Sequence, residues 1–302
     1  MSAPPTVSVL LPVYNCRRYL DEAISSILRQ TFTDFELIAV DDGSTDGSGE
    51  ILKRYAAQDA RVKIISRPNT GIAGALNDAI AAARGEFLAR MDGDDISLPQ
   101  RLEMQLRFLR EHLDIVLLGS RVRLIDPFGV TLYESGHKLI HEEIEREMLD
   151  GVGWAVVHPA AMMRATAVRA VGGYRSDRVP TEDLDLFLRM SEIGKLTNLP
   201  DILLGYRQHH ASANHTRVEE QNRNKRVILT EAYARRGLTL PAGWTPPTRD
   251  VLAAEKEISM WGWAALKQGN RRAARHHAMS LLRLAPFSGA SWRLMLCALR
   301  GR

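Results

Sequence analysis

A doubly wound, mainly parallel α/β sheet is the fold class this sequence predicts, followed by an α+β extension and a helical C-terminal region. Three observations support it. Over the first 110 residues, short apolar runs alternate with stretches of helical spacing. The apolar runs end in acids, glycines and asparagines, the residues of turns. After residue 114 the alternation breaks down. Strands that all run one way need crossovers, and helices supply both the crossover and the cover for each face of the sheet.

The elements follow in order. "TVSVLLPVYN" (6–15) is an apolar strand interrupted by a proline. In "YLDEAISSILRQ" the apolar residues Leu20, Ala23, Ile24, Ile27 and Leu28 recur as one face of a helix requires. "FELIAVDDGSTDG" is a second strand closing in turn chemistry, with a helix after it around 51–56. "VKIIS" is the third strand, "GIAGALNDAIAAA" the third helix and "EFLARMD" the fourth strand. "LPQRLEMQLRFLREH" is a helix with proline in its first turn. Beyond it, "DIVLLGSRVRLID" and "VTLYES" read as strands on either side of the turn "DPFG". A helix near 142–149, apolar "WAVVHPAAMMR", amphipathic "EDLDLFLRMSEIG" and "LPDILLGYRQH" complete this part. From about Val218 the pattern is helical, broken by "LTLPAGWTPPT". Within it, "WGWAALKQGNRRAARHHAMSLLRLAPFS" resembles one helix hairpin of the tetratricopeptide type. These readings divide the chain into 1–216, with halves 1–113 and 114–216, and a basic helical region 217–302.

With 302 residues, 45% hydrophobic and 25% charged, the chain has the composition of a globular protein that buries a full core. Its two cysteines, Cys16 and Cys297, argue against a disulfide framework and a cysteine-based zinc site, and they suit a reducing, cytoplasmic compartment. Neither a signal-peptide pattern nor a run of about 18 apolar residues is present. The net charge of +4 conceals an asymmetry. Residues 1–216 hold 24 Lys+Arg and 30 Asp+Glu, a net of −6, whereas residues 217–302 hold 16 and 6, a net of +10. An acidic body with a basic tail points to different partners for the two parts. The tail's arginines, with Trp261, Trp263 and Trp292, suit peripheral contact with the inner face of the plasma membrane. The alternative is a helical cap that packs on the first domain and shows its arginines to water. No nucleic-acid-binding motif accompanies the charge, so nucleic acid is not an expected partner.

In doubly wound sheets the ligand crevice lies beyond the carboxyl ends of the strands. Asp41, Asp42, Asp92, Asp94 and Asp95 all follow strand ends, so they are expected around one cleft. Crowded carboxylates repel: at an effective dielectric of about 20, two unit charges about 4 Å apart cost on the order of 4 kcal/mol. Alternate residues of extended chain share a side, so Asp92 and Asp94 should converge and Asp95 point away. Gly93 lets a ligand approach the backbone. Two hard oxygen donors suit Mg2+ or Mn2+, with a substrate phosphate completing the shell. For so short a motif, a solvated acidic turn is the other reading.

The ordered series "VSVLLPVYN", "SILRQTFTDFELIAVDDGSTDGS", "RPNTGIAGALNDAI" and "ARGEFLARMDGDDISLP", extended by "GGYR", "TEDLDLFLRM" and "YRQH", resembles the family 2 inverting glycosyltransferases of the A-type nucleotide-sugar-binding fold. The resemblance covers roughly residues 6–210. It implies a metal-dependent enzyme that moves a sugar from a nucleoside-diphosphate sugar to a hydroxyl of a glycan or lipid-linked glycan, in cell-surface polysaccharide synthesis. The nucleotide-binding half would be 1–113 and the acceptor-side half 114–216. Pro12, Tyr14 and Asn15 would lie along the nucleotide, and Asp42 would accept a hydrogen bond from the base. Asp92 would contact the ribose or the metal shell, and Asp94 would ligate Mn2+ or Mg2+. Asp183 would be the general base and Asp185 structural, although Glu182 and Asp183 also suit the first turn of a helix. His209 would touch the metal or a phosphate. His158 is either acceptor-side wall or a buried, hydrogen-bonded histidine, and Arg207 is a partner for a phosphate or for a core acid. The Q-x-x-R-W motif of processive members is absent, which suits one transfer per encounter. Two other readings remain at this point. A nucleotidyltransferase making nucleotide sugars needs a glycine-rich loop after the first strand, and "PVYNCRR" has no glycine. A non-catalytic nucleotide-sugar-binding scaffold would have little use for both acid pairs.

Overall fold

The computed structural model describes residues 3–209, 218–247 and 254–301. The chain forms two compact units. The first comprises Met1–Val122, Gly136–Leu204 and Arg217–Pro247, and the second Arg123–Ser135, Gly205–Thr216 and Thr248–Arg302. The junction expected at 216/217 lies outside the described residues.

In the first unit the alternation read from the sequence is realised. Strands β1 (Val7–Val13), β2 (Phe35–Asp41), β3 (Val62–Ser66) and β4 (Phe87–Arg90) are separated by helices α1 (Arg17–Leu28), α2 (Ser48–Gln58) and α3 (Ile72–Ala82). A two-residue strand, β5 (Ile96–Ser97), precedes α4 (Arg101–Glu111). Beyond it come β6 (Ile115–Ile125), β7 (Thr131–Glu134, in the second unit), α5 (His141–Leu149), β8 (Met162–Arg164), α6 (Ala165–Ala170), α7 (Glu182–Met190), β9 (Lys195–Arg207) and α8 (Val218–Arg235). The sheet order is β3-β2-β1-β4-β8-β6-β9-β5, with β7 paired to β6. The four strands β3, β2, β1 and β4 run parallel. The extension supplies the antiparallel part, where β8 runs against both β4 and β6.

Burial follows from position. The central strands β1 and β2 are buried over almost every residue, which is why they read as continuous apolar runs. Edge strand β3 is short and exposes Lys63, a placement that discourages pairing with another chain. On α1 the predicted face is the buried one: Leu20, Ala23, Ile24 and Ile27 all lie against the core. Leu10, Ile38, Val40 and Leu88 of the sheet pack with Leu76 and Ala79 of α3 and with Phe187 of α7 in one cluster. The chain winds outward from β1 to β3 and then returns to the other side of β1 at β4. In doubly wound sheets such a reversal marks where the ligand crevice lies, here at the carboxyl ends of β1 and β4.

The second unit holds β7, the end of β6, and helices α9 (Ala254–Lys267), α10 (Arg271–Leu284) and α11 (Gly289–Arg300). The hairpin expected from "WGWAALKQGNRRAARHHAMSLLRL" forms, and the Asn270 side chain caps α10 by accepting from Ala273 N (3.1 Å). Its core is built of small residues, Ala265, Ala273, Ala274, Ala278 and Ala298, with Leu281 and Leu294. A Cβ at Gly262 would stand 2.5 Å from the Leu294 side chain, so the helices approach where only glycine leaves room. Asp126 organises the "DPFG" turn: one oxygen accepts from Phe128 N and Val130 N (2.8 Å each) and the other meets His277 Nε2 (2.6 Å). Buried Arg207 donates to the Asp126 carbonyl (3.2 Å) within this unit.

Candidate active site

Both sides of the crevice are tied together at their base. Met91 N donates to Leu10 O (3.0 Å), and buried Arg101 of α4 donates to the Arg90 carbonyl (2.7 Å), which fixes the end of β4. The chain then turns at Gly93–Asp94. Asp92, Asp94 and Asp95 each bring a carboxylate oxygen within 4.8 Å of the others. Asp95 therefore does not point away as extended chain would dictate. The turn breaks the two-residue alternation and brings a third acid, itself buried, to the group. A Cβ on Gly93 would meet Cys16 Cβ and Sγ at 3.1 Å, so this turn lies close against the start of α1. Burial, and then the charge of Asp94, push the Cys16 thiol up to about 12. Among the described residues this is the one group of three or more metal-ligating side chains so gathered. An all-carboxylate donor set matches a hard cation such as Mg2+ or Mn2+, and a cation there would relieve the mutual repulsion.

A second acid pair shares the field of Arg90. This arginine is buried at the end of β4 and ion-paired with Asp92. Its charge also acts on Glu182 and Asp183, the first two residues of α7, and on His158 and Tyr174. Glu182 is buried with Oε2 lacking a hydrogen-bond partner, and burial followed by the Asp183 charge pushes its carboxyl up to about 8. Asp183 keeps part of its surface open and accepts from Leu184 N (2.8 Å). Burial raises its carboxyl as well, against the pull of that N–H and of Arg90. Asp185 is the reverse case. Burial alone would raise it, but Arg175 and Arg189 outweigh burial and hold the carboxyl below its ordinary range. It is a structural anchor, as expected.

His158 is a buried, hydrogen-bonded histidine. Its Nε2 lies 2.7 Å from the Tyr174 hydroxyl, and burial, then Arg90, depress it well below the usual imidazole range. The "GGYR" motif has a local reason. Gly172 and Gly173 take positive φ (81° and 69°), and Asn77 of α3 holds Tyr174 through both N (2.9 Å) and O (2.8 Å).

On the β1 side, Pro12 is half-buried within the strand and Tyr14 is 52% exposed just past its end. Asn15 adopts φ 52°, the left-handed region that asparagine tolerates better than most residues, and its Oδ1 accepts from Thr45 N (2.9 Å). Asp42 is buried, and its two oxygens accept from Thr70 N (3.0 Å) and Gly71 N (2.8 Å), with Arg67 Nε at 3.3 Å. Its carboxylate thus orders the "RPNTG" loop. His209 follows β9 in the second unit and is half-buried. Arg90, Tyr174 and Cys16 escaped the sequence reading. For Arg90 there was a signal, an arginine inside an apolar strand directly before acids, because buried arginines are almost always paired.

The family described as Glycosyl transferase family 2 matches residues 8–172, from β1 through the crevice acids to the Gly-Gly turn. The chain belongs to that family. This glycosyltransferase is 41% identical over 198 residues to the putative glycosyltransferase EpsE of Bacillus subtilis (strain 168), spanning 64% of this chain and 69% of that protein. It spans only 23–33% of three longer curated relatives. Two solved structures share its fold at low identity. S. aureus TarS 1–349 in complex with UDP-GlcNAc gives a TM-score of 0.58 at 17% identity, covering 98% of this chain and 92% of that one. Mannosyltransferase PcManGT from Pyrobaculum calidifontis, in complex with GDP-Man and Mn2+, gives 0.56 at 18%, covering 99% and 86%. The glycosyltransferase therefore has the A-type fold, and the nucleotidyltransferase and scaffold readings are set aside.

Proposed function

We propose that this chain is a metal-dependent inverting glycosyltransferase that moves a sugar from a nucleoside diphosphate to a hydroxyl of a glycan or lipid-linked glycan. One observation carries the reading: Arg90 ties the Asp92–Asp94–Asp95 group and the Glu182–Asp183 pair into a single electrostatic neighbourhood at the strand ends. The neighbours solved with UDP-GlcNAc, or with GDP-Man and Mn2+, support a nucleotide-sugar donor and a divalent ion.

The reaction needs a base for the acceptor hydroxyl. Asp183 takes that role. Burial and the Asp183 charge push the Glu182 carboxyl up to about 8, while Asp183 has the Leu184 N–H donating to it and part of its surface open. The acceptor O–H proton passes to the Asp183 carboxylate while the acceptor oxygen bonds to the anomeric carbon. The bond from that carbon to the diphosphate breaks on the opposite face, so the configuration inverts. Asp94, with Asp92 and Asp95, would hold the Mn2+ or Mg2+, whose charge compensates the departing diphosphate when bound. Tyr14 offers an exposed ring to a nucleobase, Pro12 and Asn15 flank it, and Asp42 acts on the base side through the loop it orders.

Calorimetric titration with nucleoside diphosphates, with and without Mn2+, together with a transfer assay, tests the division of roles. Asp94→Asn should abolish both metal-dependent nucleotide binding and transfer. Asp183→Asn should cut transfer by roughly 100- to 10,000-fold while nucleotide affinity stays within about threefold. Equal loss of nucleotide binding in both variants rejects the separation, and failure of every nucleoside diphosphate to bind with Mn2+ rejects the reading itself.

A further inference from the structure

The three helices α9, α10 and α11 of the second unit carry none of the residues named in this chemistry. Helix α11 buries Ser291, Leu294, Met295 and Ala298 and turns the opposite stripe to solvent. Trp292, Leu296 and Leu299 are 54%, 51% and 57% exposed, and their i, i+4, i+7 spacing sets them in one row. Phe287, in the turn before the helix, is fully exposed. The Trp292 indole N–H donates to Pro286 O (2.9 Å), which holds the ring against that same turn. The charge is one-sided as well: residues 258–302 contain eight Lys and Arg and no Asp or Glu. Arg283 at the end of α10, and Arg293 and Arg300 on α11, are exposed.

We propose that α11 lies on an anionic lipid bilayer, with Phe287, Trp292, Leu296 and Leu299 entering the boundary between headgroups and acyl chains. Arg283, Arg293 and Arg300 pair with the lipid phosphates. The occupant of this face has to take an apolar row and a set of cations together. A second copy meeting this face with the same face would bring its own cations against these. A nucleic acid would satisfy the arginines and leave the leucines in water. An anionic bilayer takes both, and tryptophan partitions to its interface. The contact is in the plane of the surface. The 12 residues of α11 extend about 18 Å against a hydrocarbon core of about 30 Å, and no described helix is long and apolar enough to cross a membrane.

Co-sedimentation of the full chain with large unilamellar vesicles tests the proposal. The arms are phosphatidylcholine alone and phosphatidylcholine with 30 mol% phosphatidylglycerol (roughly a polybasic-patch regime), each at low and high NaCl. Binding to the anionic vesicles at low salt, at least about tenfold above that to neutral ones and weakened by salt, is expected. The Trp292→Ser/Leu296→Ser/Leu299→Ser variant should lose binding by at least about tenfold with unchanged circular dichroism. Should that variant misfold, Arg283→Glu/Arg293→Glu/Arg300→Glu, wholly on the exposed face, should give the same loss. Asp94→Asn should bind vesicles like the parent, so failure here and failure of the catalytic reading are distinguishable. The proposal is overturned by no binding to anionic vesicles, by equal binding to neutral ones, or by binding that both surface variants retain. Self-association or RNA binding through the same residues, without vesicle binding, overturns it too.

Discussion

At the level of single residues, Arg90 is where the two acid groups meet. A guanidinium buried at a strand end is stable only beside anions, and here it has Asp92 in contact and the Glu182–Asp183 pair within its field. Its charge does not fully offset the desolvation of those two carboxyls, and both are raised. The consequence for stability has a definite sign. Folded Glu182 holds its proton up to about 8, whereas an unfolded glutamate releases it near 4.5. Stability from this group is therefore complete below 4.5 and lost as pH rises through about 8, and Asp183 shifts in the same direction. Glu182→Gln should flatten the fall in melting temperature between pH 5 and 9 in metal-free buffer (on the order of 2–4 kcal/mol at the alkaline end). An unchanged slope would mean that the glutamate ionises normally in its buried setting.

At the level of elements, the crevice depends on how two short segments start and stop. The turn after β4 converts an expected pair of acids into a group of three, because Gly93–Asp94 reverses the chain before the alternation can send Asp95 outward. Helix α7 presents Glu182 and Asp183 in its first turn and is held in place two residues further in, where Asp185 has no exposed surface and binds Arg175 and Arg189. Asp185→Asn removes the charge that both arginines need. It should destabilise the fold by about 3–5 kcal/mol, read as a lower melting temperature, with nucleotide binding retained at temperatures where the variant remains folded. A loss below 1 kcal/mol would show that solvent compensates the arginines. Asp42 works by the same economy: its carboxylate faces Thr70 and Gly71, so an acid at one strand end shapes the loop after the next.

For the molecule as a whole, three carboxylates crowded in the native state and dispersed in the unfolded chain couple ion binding to folding. A divalent ion at 100 times its dissociation constant adds about 2.7 kcal/mol to stability. For a chain of this length that raises the melting temperature by roughly 5 °C. Scanning calorimetry with and without Mn2+ should show the rise in the parent and in Asp183→Asn, and none in Asp94→Asn. A rise that survives in Asp94→Asn would place the ion elsewhere.

Legible in the order of residues were the alternation of strands and helices, the parallel half of the sheet, the buried face of α1, the tail hairpin and the convergence of Asp92 and Asp94. These are local properties, written in periodicity and in turn residues a few positions apart. It took the folded chain to show that Asp95 joins the group, that the Arg90 charge acts on Glu182 and Asp183 more than ninety residues away, and that Asp42 is engaged with the loop after the next strand. The fold also decided that His158 answers to Tyr174 and Arg207 to the Asp126 carbonyl. Pairings of this kind depend on which strand ends the topology brings together, and on charges felt through a dry interior, neither of which leaves a short-range trace in the order of residues.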